Sequence, residues 1–206
     1  EAMFSFGNKG ELMPAKAIRS FDALAVYFDK GRFAQLQSDL SLEKKAAEWV
    51  ASLQLKDQKT AGYVTTLIYN HLRAVRDWHN DHPFTTIPEG INPLTGSPLS
   101  ELERSLIADS AMPKEVHTKL MNGLRKSLTE EQVEAILDKY TVGKVAFTMK
   151  GYKAIVPDLT EKEEATILAH LKQAREQAID YKSMKQISAV FEIYKNKCEA
   201  YLNNNG

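Results

Sequence analysis

A single cysteine, Cys198, is all the thiol chemistry available to this 206-residue chain. That excludes an internal disulfide, a CxxC redox pair and a cysteine-based zinc site. Long apolar runs are also missing. The longest covers residues 23–28, far short of the roughly 20 residues needed to cross a bilayer. Neither sign of charge is in excess, since 27 basic residues offset 27 acidic ones. A dedicated nucleic-acid binder would lack the electrostatic field it depends on. No GxGxxG, Walker loop, GxSxG elbow or HExxH occurs, so no cofactor is implied and no standard catalytic signature is present. The chain starts at Glu1 without a basic stretch followed by an apolar one; a processed export signal and a chosen boundary explain this equally.

What is present is core material. Apolar residues make up 43% of the chain, enough for one good core or two small ones and too much for a disordered chain. The apolar residues recur at three- and four-residue steps, the helical period. Residues 14–28 carry Ala17, Ile18, Phe21, Leu24, Ala25 and Phe28 on one face, with Pro14 in the first turn and Gly31 at the end. The pattern restarts near Asp39, with Ser41 as a cap and Ala46, Trp49, Val50 and Leu53 as its stripe. Asp57 opens a longer helix bearing Val64, Leu67, Ile68, Leu72, Val75 and Trp78, which Pro83 stops.

Four of the seven prolines fall within 83–98, together with Gly90 and Gly96, which marks a long loop. Ser100 with Glu103 forms a capping box for the next helix, and Pro113 starts another, with Gly123 and Ser127 marking its end. Two LTE starts, at Leu128 and Leu159, place Thr at the cap and Gln132 or Glu163 three residues on. Between them, residues 143–147 read as extended and Thr148 as the cap of a short helix ending before Pro157. The last third carries two stripes, Ile167 to Tyr181 and Ile187 to Tyr201, read as two antiparallel helices breaking near 180–183. Cys198 lies on the second stripe, a core position.

The densest polar cluster, Arg76-Asp77-Trp78-His79-Asn80-Asp81-His82, ends the long helix. Trp78 offers an apolar platform for a sugar ring, while His79, Asn80 and Asp81 supply hydroxyl partners. A metal set of His79, His82 and Asp81 or Asp77 is distorted by Pro83, so no metal is assigned. On the penultimate helix, Arg175 lies near the apolar stripe, where it reads as a partly buried ion pair or a ligand clamp beside Glu176. Hydrolysis by paired carboxylates would need two of Asp81, Asp109 and Glu176 to stand roughly 5 to 9.5 Å apart across a cleft.

The segments Trp78-His79-Asn80-Asp81, Tyr140-Thr141-Val142-Gly143 through Thr148, Tyr152 and Pro157, Leu159-Thr160-Glu161, Ala174-Arg175-Glu176-Gln177-Ala178 and Tyr201-Leu202-Asn203 resemble the bacterial domain of unknown function 3826 family. The resemblance runs from about Ser41 to Gly206, and implies an exported protein, secreted or periplasmic. It implies sugar binding only through that family's provisional label. A second resemblance is to small periplasmic stress chaperones with paired LTxxQ motifs: Leu128-Thr129-Glu130-Glu131-Gln132 fits, whereas the second copy ends in Glu163.

These readings combine into an all-α protein, an irregular helical bundle of seven to nine helices with a long Pro/Gly-rich loop and at most a small β element. Residues 1–40 form an N-terminal helical extension and 41–206 the helical domain. The expected function is carbohydrate binding without catalysis, in a cleft lined by Trp78, His79, Asp81, Tyr152, Arg175 and Glu176. A carbohydrate is the expected partner, with no nucleic acid and no membrane span. A helical chaperone with an exposed apolar face and a glycan-active hydrolase are the alternatives. Replacing His79 by alanine should remove binding and leave stability nearly intact.

Overall fold

The computed structural model describes residues 4–5, 12–13 and 30–205; the helix expected at 14–28 lies outside the described residues. By compactness the chain divides into two units, 1–45 and 46–206. In the first, β1 (Phe4–Ser5) pairs antiparallel with β2 (Leu12–Met13). The remaining elements are α1 (Lys30–Ala51), α2 (Gln58–Asp81), α3 (Glu101–Ser110), α4 (Lys114–Ser127), α5 (Glu130–Thr141), α6 (Lys144–Ile155), α7 (Glu161–Ala178) and α8 (Met184–Asn205). The protein is thus an all-α helical bundle.

Two corrections concern where helices begin. Gly31 and Ser41 both lie inside α1 instead of ending and starting helices there. No proline interrupts 30–51, and Lys44, which has no acceptor, cannot complete a capping box with Ser41. Residues 144–147, expected to be extended, form the first turn of α6, and Thr148 lies within that helix. Val142 and Gly143 both adopt left-handed φ, +53° and +67°, a tight reversal that glycine permits freely and valine resists. It lets Val145, Met149 and Tyr152 bury at helical spacing, so packing overrides the extended preference of the sequence around Val145.

Elsewhere the local signals and the structure coincide. Asp57 caps α2, accepting from the amides of Lys59 and Thr60. Ser100–Glu103, Thr129–Gln132 and Thr160–Glu163 each form a reciprocal capping box, which satisfies free amides that would otherwise cost stability. The 83–98 segment is ordered by its own bonds. A 3-10 turn covers Phe84–Thr86, Ile91 bridges Pro98, and the Arg104 guanidinium of α3 donates twice to the Ile87 carbonyl, at 3.0 and 2.6 Å.

Two apolar clusters hold the second unit together. The first joins Ala46 and Val50 to α2, α4 and α5 through Val64, Ile68, Leu120, Leu124 and Ile136. The second joins α6, α7 and α8 through Met149, Ile167, Leu171, Phe191 and the fully buried Cys198. Gly123 does not mark the end of α4. It lies within the helix, where a Cβ would collide with the Leu67 side chain of α2, so its role is close helix approach. α7 and α8 pack along each other, and the short connector between them, with Asp180, Tyr181, Lys182 and Ser183, carries the residues of interest.

Candidate functional site

A cleft of about 590 Å³ opens where the end of α3, the start of α4, the last turns of α7 and the connector meet. Asp109, Lys114, His117, Gln173, Glu176, Gln177, Asp180, Tyr181 and Tyr194 line it. Three of its polar groups, His117, Glu176 and Asp180, form one network. Asp180 Oδ2 lies 2.7 Å from His117 Nδ1, and Asp180 Oδ1 lies 2.9 Å from Nε2 of the buried His71. A carboxylate only accepts, so both imidazole nitrogens carry protons toward it. Tyr140, on the far side of His71, brings its hydroxyl to 3.1 Å from Nδ1. Glu176 ties the outer edge, with Arg125 donating to it at 3.0 Å and His117 Nε2 lying 3.5 Å from its other oxygen.

The electrostatics follow from these partners. Burial alone pushes Asp180 upward, but the hydrogen bonds and charges of His117 and His71 outweigh it and hold the carboxyl below its ordinary range. The bond to Asp180 raises His117 above the usual imidazole value; burial opposes this, and the charges of Asp180 and Glu176 add to it. Burial, then the nearby Asp109 and Asp180 carboxylates, push the Tyr181 hydroxyl upward.

Asp109 forms a deeper layer. Its Oδ2 accepts from His79 Nδ1 and Gln186 Nε2, both at 2.6 Å. Through His79 it reaches a second pocket, of about 610 Å³, on the other side of the connector, lined by His79, Asn80, Phe84, Ser105, Lys182 and Lys185 among others. Lys182 donates to Asn80 Oδ1 at 2.7 Å.

The structure distributes the residues singled out in the sequence rather than gathering them in one cleft. Glu176 lines the cleft described above, and His79 lines the pocket beyond the connector. Trp78 is half-buried: His82 stacks on it at 3.7 Å and 16°, and its indole N–H donates to the Ala108 carbonyl at 3.1 Å. One ring face and the only donor of Trp78 are therefore used internally. Asp81 is exposed at the end of α2. Tyr152 is buried on α6, donates to the Lys195 carbonyl at 3.2 Å, and borders a separate groove on α6 and α8. Arg175 is 3% exposed and pairs with Asp138 at 2.7 Å and Glu134 at 3.2 Å on α5; of its two expected roles, the ion pair is the one formed. His79 turns to Asp109 while His82 folds back on the Trp78 carbonyl, so the two imidazoles do not converge. Among the described residues no three His, Cys, Asp or Glu side chains are grouped to hold a metal ion. Of the three carboxylates weighed for hydrolysis, Asp109 and Glu176 border one cleft and Asp81 does not.

His71, His117, Asp180 and Gln186 were missed. A signal existed for His71, which sits at helical spacing between Leu67, Ile68 and Val75 on the buried stripe of α2. A polar residue there requires a buried partner. Asp109 continues the Leu102–Leu106 stripe of α3 in the same way.

No helix among the described residues is long and apolar enough to cross a membrane. No curated protein matches the chain. The model of a family described as "Protein of unknown function (DUF3826)" matches residues 40–206, and the chain belongs to that family.

Proposed function

We propose that the protein is an exported carbohydrate-binding protein and that the cleft between α4, α7 and the connector is its binding site. The observation that carries this reading is the pairing of two tyrosines, Tyr181 and Tyr194, with the carboxylates of Glu176 and Asp180 in one concave site. Tyrosine rings present flat apolar faces to the C–H side of a sugar ring, while carboxylates accept from its hydroxyls. The amides of Gln173 and Gln177 at the same wall add donors and acceptors. Binding is favoured over turnover because Glu176 and Asp180 are already paired with cationic or imidazole partners. Glu176 is held by Arg125 and His117, and Asp180 by two imidazoles, which keeps Asp180 ionised and unsuited to donate a proton. A thermal-shift screen of the purified chain against a glycan panel tests this, since a ligand of the folded state raises its apparent stability. A saturable shift with one sugar class, lost in Tyr181→Ala with the circular-dichroism spectrum unchanged, is the expected result. Silence across the panel overturns the reading.

A chaperone is the second reading, favoured by the surface of α6. Phe147 and Ile155 are each 80% exposed and Val142, just before the helix, 72%, and α6 contains three lysines and no acid. Such a patch suits transient contact with unfolded chains. Suppression of a client's aggregation, lost in Phe147→Ser/Ile155→Ser, together with no response to glycans, would favour it.

A further inference from the structure

Three imidazoles touch a carboxylate, and they differ in what the second ring nitrogen does. His71 is buried and gives both nitrogens to the protein, one to Asp180 and one to the Tyr140 hydroxyl. His117 gives Nδ1 to Asp180 and holds Nε2 3.5 Å from Glu176. His79 gives Nδ1 to Asp109 Oδ2 at 2.6 Å, while its Nε2 has no partner among the described residues and is not buried. Because a carboxylate accepts, Nδ1 carries the proton and Nε2 of the neutral ring carries the lone pair. The His79 side chain is 28% exposed and lines the pocket of about 610 Å³, so with Nδ1 turned inward to Asp109 the open nitrogen is the one on the pocket side.

The ring is fixed from behind. The Asp109 side chain is 3% exposed and takes a second bond from Gln186 Nε2 at 2.6 Å, and Gln186 Oε1 accepts from the amide and the hydroxyl of Ser183, each at 3.1 Å. A buried carboxylate that sets the tautomer and direction of an imidazole is the arrangement of a general base. The pocket also stabilises negative charge. Lys182 and Lys185 line it, and α3 and α8 both begin there, with Leu102 and Lys185 contributing first-turn amides that have no acceptor inside a helix. The serines of the pocket are bonded elsewhere: Ser100 accepts from the Glu103 amide, Ser105 donates to the Leu102 carbonyl and Ser183 donates to Gln186. None of them bonds to His79, which leaves water as the nucleophile. The groups that face the imidazole are thus Asp109 behind it and Lys182, Lys185 and the exposed Glu101 across the pocket.

We infer that this pocket hydrolyses a neutral carboxylic ester, with His79 as the general base and Asp109 as its positioning residue, a function separate from the sugar cleft. Nε2 takes a proton from water as the water oxygen bonds to the acyl carbon, and the carbonyl electron pair moves onto its oxygen. When the C–O bond to the alcohol then breaks, the departing alkoxide takes the proton back from Nε2. One ester and one water give one acid and one alcohol. A neutral ester is favoured over a phosphate ester because Asp109 and Glu101 oppose a substrate that is already an anion, while the lysines and amides meet charge that develops during the reaction.

Turnover by the purified full chain of 4-nitrophenyl acetate, and acetate release from peracetylated glucose, test this. His79→Gln keeps a donor for Asp109 and removes the base, and should lower kcat/KM at least a hundredfold, the scale of general-base catalysis, with KM changed far less. His170→Gln removes an imidazole that lines neither pocket and should leave the rate unchanged, which separates the pocket from hydrolysis by any surface histidine. In the wild type kcat/KM should fall toward acid pH as Nε2 takes up a proton. That limb should be absent from whatever activity remains in His79→Gln, and the wild-type profile stands on its own if the variant does not fold. No turnover of either ester above buffer, full activity in His79→Gln, or a wild-type profile without the acid limb overturns the assignment. Cleavage of bis(4-nitrophenyl) phosphate in place of the acetates overturns the choice of ester.

Discussion

On one side of the α7–α8 connector, Asp180 and Tyr181 line a cleft with Asp109, Glu176 and His117; on the other, Lys182 and Ser183 line a pocket with His79 and Lys185. Consecutive residues thus serve walls of opposite charge. The acidic side is cross-linked by bonds that span α2, α4, α7 and the connector, among residues as far apart as His71 and Asp180. On the basic side Lys182 makes one exposed bond, to Asn80, while Ser105 and Ser183 of the same pocket are tied through the buried Gln186. Asp109 belongs to both, lining the first cavity and fixing the imidazole that lines the second. The difference lies in the charged groups: those of the acidic wall are held by part-buried partners, whereas the lysines of the basic wall extend into water.

Removing the hub of the acidic side should produce the largest effect. Asp180→Ala leaves the buried His71 and the half-buried His117 without their shared acceptor. A loss of about 2–4 kcal/mol follows from breaking a buried, hydrogen-bonded pair, measurable by urea denaturation. Asp180→Asn, which keeps one acceptor oxygen, should lose less. A cost below about 0.5 kcal/mol, the range of ordinary surface changes, would show that the two walls are equally dispensable.

Next in size is His79→Ala. The sequence alone suggests that this change spares stability. The geometry reverses that expectation, because the imidazole is one of two donors on the buried Asp109. Its removal should cost about 1–3 kcal/mol, read from the same denaturation curves. Binding in the acidic cleft should weaken through Asp109 rather than disappear. An unchanged midpoint would mean that water replaces the imidazole without loss.

The pH dependence should be smaller, and its sign differs for the two partners. The His117 value is raised in the folded state. Its contribution is therefore complete below the unfolded imidazole value of about 6.5 and fades as pH climbs through the folded value above it. Asp180 is lowered, so its contribution is complete above the unfolded value of about 3.9 and fades as pH falls through the folded value below it. Stability should hold a plateau between these limits and decline on the alkaline side by about 1 kcal/mol, the scale of one charge-assisted bond that is partly exposed. His117→Gln should flatten the alkaline decline and, because the His117 charge also helps hold Asp180 low, weaken the acid limb as well. A decline that persists in that variant would place the titrating group elsewhere.

How much of this was legible beforehand depends on the range of the forces involved. Capping boxes at Ser100, Thr129 and Thr160 and the break at 180–183 act within a few residues, so sequence spacing reveals them. Residues 143–147 read as extended, yet 144–147 are helical because the burial of Val145 and Met149 beyond the left-handed turn at Val142–Gly143 is a tertiary effect. The site was legible only in fragments. Glu176 and His79 were picked out, yet the partners that give them meaning lie 51 residues away for Glu176 with Arg125 and 30 for His79 with Asp109. Arg175 beside an apolar stripe correctly suggested a buried ion pair, since helical spacing fixes the face even when it cannot name Asp138 and Glu134.

The smallest effect belongs to the basic wall and is the control that gives the others their meaning. Lys182→Ala removes the exposed bond to Asn80, but the ammonium is solvated in the folded and the unfolded chain alike, so stability should change by no more than about 0.5 kcal/mol. The substitution lies two residues from Asp180 and one from Tyr181, so it samples the connector without touching the acidic network. Sugar affinity should therefore stay within about twofold of the wild type, because the Lys182 side chain lines the other pocket and its bond is an exposed one. If Lys182→Ala weakens glycan binding as strongly as Tyr181→Ala does, the connector moves as one body and the two pockets form a single site. If it does not, the acidic wall binds alone.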